Sequence, residues 1–250
     1  TLSIAQKAIL AGLNGMHYRR VVGGQALEAV GALRSKAFDA KSIYTQKFDE
    51  PVIEAFDQIA DAYIFGLYRE EQLVATLRIN VAKAGAEDTP AVKTFPNQLR
   101  PLIDQGLSFV DPGRLSVDPE LVKTLPALPM YILRTSFMAT MRLGPGRCVA
   151  VVRDHHEKFY RKVLKAVRIA GPMYPGNTFA KLSLISMTNS HASDIQARYP
   201  VFNFSDEEPQ RLFSAVPEGR DASDPVFPTA SLACGIDPKE LEAVSLSSVA

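Results

Sequence analysis

The residues of this sequence best placed to do chemistry are arginines and carboxylates. Arg78 stands between Thr76 and Asn80 on the polar side of an alternating run, Leu73 to Val81. A guanidinium there either meets solvent or floors a cleft in which it fixes a carboxylate. Glu54 and Asp57 are spaced to share a face if their segment is helical. They can be solvated, recruit an ammonium group, or pair with Arg34 or Arg114. Arg161, Lys165 and Arg168 follow at helical spacing, with Lys158 and Lys162 beside them. Such a stripe is a solvated face or a docking face for an acidic carrier protein or cofactor phosphates. Other chemistries find no support. The pair His155-His156 shares no helix face, so no metal site is expected. Cys148 lies in an apolar run and reads as core. There is no G-x-S-x-G elbow, P-loop, H-E-x-x-H helix or G-x-G-x-x-G turn.

The elements that must carry these residues follow from periodicity. An amphipathic helix is expected over Ser3 to Leu13, a short strand over Tyr18 to Val22, and a helix from Gln25. A second helix is expected near Pro51, bearing Glu54 and Asp57. Ala62 to Tyr68 and Leu73 to Val81 form a hairpin around Arg69–Gln72. Phe109 to Val117 is a strand with a break at Pro112-Gly113. Met130 to Met141 is helical and ends at Gly144-Pro145-Gly146. Cys148 to Val152 is a buried strand. Asp154 and Glu157 then offer a capping box for a helix with the stripe Tyr160, Val163, Leu164 and Val167, ending at Gly171. Leu182 to Met187 is the last strand. Beyond Asn189 the pattern weakens among many prolines. The domains expected are 1–190 and a loosely structured C-terminal extension over 191–250. The alternation argues for a mixed sheet with helices packed on it.

Composition sets bounds on function. The 250 residues carry 28 Lys+Arg against 27 Asp+Glu, with 46% hydrophobic and 22% charged residues. A chain this apolar is not wholly disordered, and its charge balance gives no basic coat for nucleic acid. No apolar run reaches the length of a membrane span. The opening residues show no signal pattern and the two cysteines make no framework, so the expectation is a reduced, cytoplasmic protein.

Several short motifs in order resemble a known family. They are Arg34-Ser35-Lys36-Ala37-Phe38, Phe56-Asp57 followed by Ala62-Tyr63, Thr76-Leu77-Arg78, and Gly113-Arg114-Leu115-Ser116-Val117. Together they resemble the acyl-homoserine-lactone (autoinducer) synthases and, more closely, the long-chain N-acyl amino acid synthases. Both have the Gcn5-related N-acyltransferase (GNAT) fold, an α/β (α+β) architecture with a mixed, mostly antiparallel sheet flanked by helices. The resemblance covers Tyr18 to Met187.

This resemblance implies an enzyme that moves a fatty acyl group to an amine. The donor is an acyl-phosphopantetheine thioester on acyl carrier protein or coenzyme A, with no permanently bound cofactor. The acceptor is an amino acid or an S-adenosylmethionine-like amine. Asp111 is implied as the base, with Glu54 and Asp57 as helpers. Arg34, Phe38, Arg78, Arg114 and Ser116 are implied at the substrate, and Tyr44 falls near the position of the lactone synthases' tryptophan. Asp111 replaces their glutamate, and both departures bear on the lactone product rather than on acyl transfer. The splayed fourth and fifth strands, with Val117, Val149, Val151 and Arg153, are expected to hold the pantetheine arm, with Tyr160 beside them. Phe137 and Met141 are candidates for the acyl wall. Lys158, Arg161, Lys162, Lys165 and Arg168 are the expected carrier-docking face. An acyl-homoserine-lactone autoinducer synthase and a non-catalytic carrier or lipid-binding module are the alternatives. A generic acetyltransferase is disfavoured, because Pro119 to Met130 lacks a glycine-rich loop.

Overall fold

The computed structural model describes residues 2–41, 47–143, 146–174, 180–237 and 239–241. Helix α1 (Ile4–Asn14) opens with a reciprocal cap, in which the Gln6 N–H donates to Ser3 Oγ and the Ser3 N–H donates to Gln6 Oε1. Strand β1 (Met16–Val21) leads into α2 (Gly24–Asp39). The hairpin β2 (Ala62–Arg69) and β3 (Gln72–Ala82) follows, then α3 (Pro90–Thr94) and α4 (Pro96–Asp104). After β4 (Phe109–Val117) come α5 (Leu121–Thr124), α6 (Leu128–Arg142) and β5 (Arg147–Arg153). Helix α7 (Glu157–Leu164), β6 (Val167–Met173) and β7 (Leu182–Thr188) complete the sheet. Helices α8 (Ala192–Arg198), α9 (Glu207–Leu212) and α10 (Ala230–Ala233) lie beyond it.

The sheet runs β1-β2-β3-β4-β5-β7-β6. Neighbours are antiparallel except β4 and β5, which are parallel and meet only at Val110 and Cys148. Beyond that point the two strands part and leave a V-shaped gap between Asp111–Val117 and Val149–Arg153. A parallel pair normally bonds along its length. The parting therefore leaves β4 backbone groups without a strand partner in the middle of the sheet.

Both faces of the sheet are covered at its centre. Leu77, Ile79 and Val110 join α1 and α6 in the main core. The alternate positions of β3, Thr76, Arg78 and Asn80, are also buried. They lie against α2 and the segment 51–57, so the solvated-face alternative for Arg78 is excluded. Strand alternation sends Phe109 and Asp111 to the side where α3 and α4 pack.

Three sequence expectations are corrected here. The segment after Pro51 is extended, with only a short 3-10 turn at Ala55–Asp57, because Glu54 and Asp57 are drawn into ion pairs. The helix after Asp154 ends at Leu164, where Lys165 takes a left-handed φ of 54°, and Val167–Met173 forms an edge strand. Asp154 and Glu157 do not form a cap there; both bind Arg168. The described part of 191–250 is not loose. Val201, Phe202, Leu212, Val226, Ala230 and Leu241 are buried in the main core. Backbone bridges from Val226 to Tyr18 and from Ala222 to Val21 extend the sheet at β1.

The extension is locked by a buried ion pair. Arg134 of α6 gives both terminal nitrogens to Glu208 of α9, at 2.5 and 2.9 Å. Its remaining donors reach the Val201 and Asn203 carbonyls and the Tyr18 hydroxyl. The Thr229 N–H and hydroxyl complete the carboxylate.

Candidate active site

A cleft of about 360 Å³ opens where β4 and β5 part. Its floor comes from β3 and β4, and its far wall from Ala150, Val151, Val152 and Arg153 of β5. The end of α2 supplies Ala37, Phe38 and Lys41, while α6 contributes Leu133.

A chain of alternating charge lies behind and along one wall. Arg34, on the inner face of α2, binds both oxygens of Asp57 at 2.8 and 3.0 Å. Arg78 reaches across from β3, with Nη1 donating to Asp57 at 3.1 Å and to Glu54 at 3.0 Å. Arg114 closes the chain with a two-pronged grip on Glu54, its Nε at 2.8 Å. A φ of 55° at Arg114 breaks the strand path of β4 beside Pro112-Gly113. Phe56 lies under the Arg78 guanidinium and Phe38 under that of Arg114.

The chain sorts the acidic residues by role. Burial pushes Glu54 and Asp57 up, but hydrogen bonds and charge from Arg114 and Arg34, with Arg78, outweigh it and hold both below the usual carboxylate range. Both are ionised and already engaged, so they suit positioning rather than proton transfer. Asp57 also accepts the Glu54 N–H at 2.8 Å and does not line the cleft. Arg34 is likewise buried behind the wall. The Nη2 of Arg78 takes no hydrogen bond among the described residues, leaving a donor beside the cleft.

Asp111 has a different environment. It lies one residue past the only β4–β5 pairing and lines the cleft. Its carboxylate accepts the Ala91 N–H at 2.8 Å, at the start of α3. Burial pushes its pKa up to about 6, against the pull of that N–H and of the Arg78 charge. A carboxyl with this pKa is ionised at neutral pH and still a competent proton acceptor.

The structure brings Glu54, Arg78, Asp111, Arg114, Phe38, Ser116, Val151, Arg153 and Tyr160 to one cleft. Other expected residues are placed elsewhere. Val117, Val149 and Phe137 are buried in the core, Phe137 against Phe202, and Met141 packs beside it. Leu133, one helical turn before Phe137, is the α6 residue that reaches the cleft. Tyr44 lies outside the described residues. Lys158, Arg161, Lys162 and Lys165 are exposed, but Arg168 sits on β6 and is neutralised by Asp154 and Glu157. Lys41, His156 and Phe56 also line the cleft. The sequence offers His156 only as an unsuited metal ligand and Phe56 only as an apolar residue of the resemblance motifs, and nothing in it marks Lys41.

A sheet split between two parallel strands, with an ionisable carboxyl at the fork, is the arrangement of the GNAT fold. The family model of the N-acyl amino acid synthase FeeM matches residues 29–188, and the chain belongs to this family. The fold is shared with the solved structure of FeeM, an N-acyl amino acid synthase from uncultured soil microbes. That structure is 16% identical with a TM-score of 0.57, over 76% of this chain and 98% of the other. It is shared too with BjaI, a CoA-dependent acyl-homoserine lactone synthase solved with MTA. That likeness is 11% identical with a TM-score of 0.50, over 69% and 81% of the two chains. No curated protein sequence matches the chain. The protein is thus an acyltransferase that forms N-acyl amino acids from an acyl-CoA or acyl-carrier-protein donor and a small amine acceptor. No helix among the described residues is long and apolar enough to cross a membrane.

Proposed function

We propose that the protein transfers a fatty acyl group from acyl carrier protein to the amine of a free amino acid, in the cytoplasm, with Asp111 as general base. The observation that carries this reading is the buried Asp111 carboxyl, with its pKa near 6, at the fork of β4 and β5. An amino acid arrives as an ammonium ion and must lose a proton to become a nucleophile. The Asp111 carboxylate takes that proton, and the amine nitrogen attacks the thioester carbonyl. The tetrahedral oxyanion is met by β4 backbone N–H groups that have no strand partner. The intermediate then collapses. The C–N bond remains, the C–S bond breaks, and the departing thiolate takes up a proton.

The remaining groups orient the reactants. The free donors of Arg78 suit the acceptor's carboxylate, which a guanidinium binds in a defined plane. Glu54 and Asp57 hold Arg78 and Arg114 in place. The donor's arm lies in the V-shaped gap, where strand-like hydrogen bonds are open to it. Helix α7 turns Tyr160 toward the cleft and exposes Lys158, Arg161 and Lys162. That arrangement supports an acidic carrier protein as the donor.

The test is direct. Purified protein is incubated with acyl carrier protein bearing a fatty acyl chain, or with the matching acyl-CoA, and a mixture of amino acids. Mass spectrometry should find an N-acyl amino acid, formed faster from the carrier. Equal or better use of acyl-CoA would remove the carrier from this reading.

A further inference from the structure

The wide end of the cleft has a second cationic site, distinct from the Arg34–Arg114 chain. Arg153 ends β5, and its Nη2 lies 3.2 Å from Nε2 of His156. Lys41, just past the end of α2, faces the same space, and all three residues line the cleft. No carboxylate answers them among the described residues. Asp39 accepts the Phe48 N–H, and Asp118 holds Lys36. Asp154 and Glu157 are turned to Arg168. The residues 42–46 and 175–179 contain no acidic side chain. Burial depresses all three; repulsion from the Arg153 charge adds to it at Lys41, and repulsion from Arg153, His155 and Lys41 adds to it at His156, which falls to about 4. Cations gathered in a partly buried place without an anion are suited to receive one.

We propose that Lys41, Arg153 and His156 form a subsite for the phosphate that ends the donor's pantetheine arm. This rests on the reading of the donor as an acyl-phosphopantetheine thioester. Distance supports it. Arg153 is four residues beyond Val149, which is level with Asp111, so the two ends are about 13 Å apart along the strand. The arm from phosphate oxygen to sulfur has about a dozen bonds and spans about 15 Å extended, at about 1.2 Å per bond. A phosphate held by Arg153 therefore puts the thioester beside Asp111. The Arg153 guanidinium and the Lys41 ammonium supply the charge, and the neutral His156 ring supplies an N–H. The acceptor's carboxylate is left to Arg78, at the narrow end.

Calorimetric titration of the intact protein with pantetheine, 4′-phosphopantetheine, coenzyme A and holo acyl carrier protein tests this. The wild type should bind phosphopantetheine roughly 10–100-fold more tightly than pantetheine, the range for charge-assisted hydrogen bonds. In Arg153→Gln that gap should shrink to within about threefold. Lys41→Met, at an exposed position, should narrow it in the same direction. The ligand among coenzyme A and holo carrier protein whose binding weakens in these variants identifies the source of the phosphate. Equal affinity for pantetheine and phosphopantetheine in the wild type would overturn the subsite while leaving the donor reading intact. So would a variant that weakens both ligands equally. Failure of all four ligands to bind the wild type would overturn the donor reading itself.

Discussion

Two buried arginine assemblies, built from the same residue types, behave in opposite ways. Around Arg134 every nitrogen has a partner, and Glu208 is completed by Thr229. That assembly is closed, and none of its side chains lines the cleft. The chain from Arg34 to Arg114 is open. Among the described residues Nη2 of Arg78 donates no hydrogen bond, and Glu54 and Arg114 are partly exposed at the cleft wall. Burying charge is costly unless it is paired, and unmade bonds inside a protein are expensive. A closed assembly returns that cost as a fixed fold. An open one leaves donors in place for a substrate. The comparison separates what holds the C-terminal segment down from what binds and orients reactants.

The largest effect expected lies at the fork. Asp111→Asn should lower kcat by roughly 10²–10⁴, the range for loss of a general base, with the folded structure retained by circular dichroism. The pH profile gives an independent check. The base works as a carboxylate, so kcat/KM should fall about tenfold per unit as pH drops below about 6. Above that value this ionisation should contribute no further rise. A profile without a break near 6 would remove Asp111 from the role.

Next comes the closed assembly. Arg134→Met leaves Glu208 as an unpaired buried charge and should cost about 3–5 kcal/mol of stability, measured by urea unfolding. KM for both substrates should stay near the wild-type value in whatever protein remains folded. A change in acceptor KM would mean that the two assemblies communicate.

A smaller effect is expected at the open end. Glu54→Gln should raise the acceptor's KM by roughly tenfold and change kcat by only a few fold, because it loosens Arg78 and Arg114. A hundredfold fall in kcat at unchanged KM would instead make Glu54 a proton-transfer group. The smallest effect belongs to the surface. Reversing Lys158, Arg161 and Lys162 to Glu should raise KM for acyl carrier protein several-fold and flatten its dependence on salt. A small pantetheine thioester should be used as before. Arg168 is left out of that set because it is already paired on β6.

Local pattern in the sequence determined much of the scaffold. The alternation of Leu73 to Val81, the apolar run at Cys148 to Val152 and the spacing of α1, α2 and α6 are short-range signals. A period of two or of 3.6 has only a few physical solutions. The order of the short motifs from Arg34 to Val117 also pointed to the family. Tertiary structure decided what periodicity cannot encode. Glu54 and Asp57 fit a helix face by spacing, yet their segment is extended, because Arg78 and Arg114 reach them from 21–60 residues away in sequence. Phe137 and Leu133 lie on one helix, yet only Leu133 meets the cleft, because the C-terminal segment covers Phe137 with Phe202. That segment looked loose because prolines interrupt its pattern, and its anchor is a pairing between Arg134 and Glu208, 74 residues apart. Lys41, just past α2, meets Arg153 and His156, which are near neighbours in sequence, only in the folded cleft. Which charges are paired, and which are left open to a ligand, is a property of long-range packing, and no window along the chain contains it.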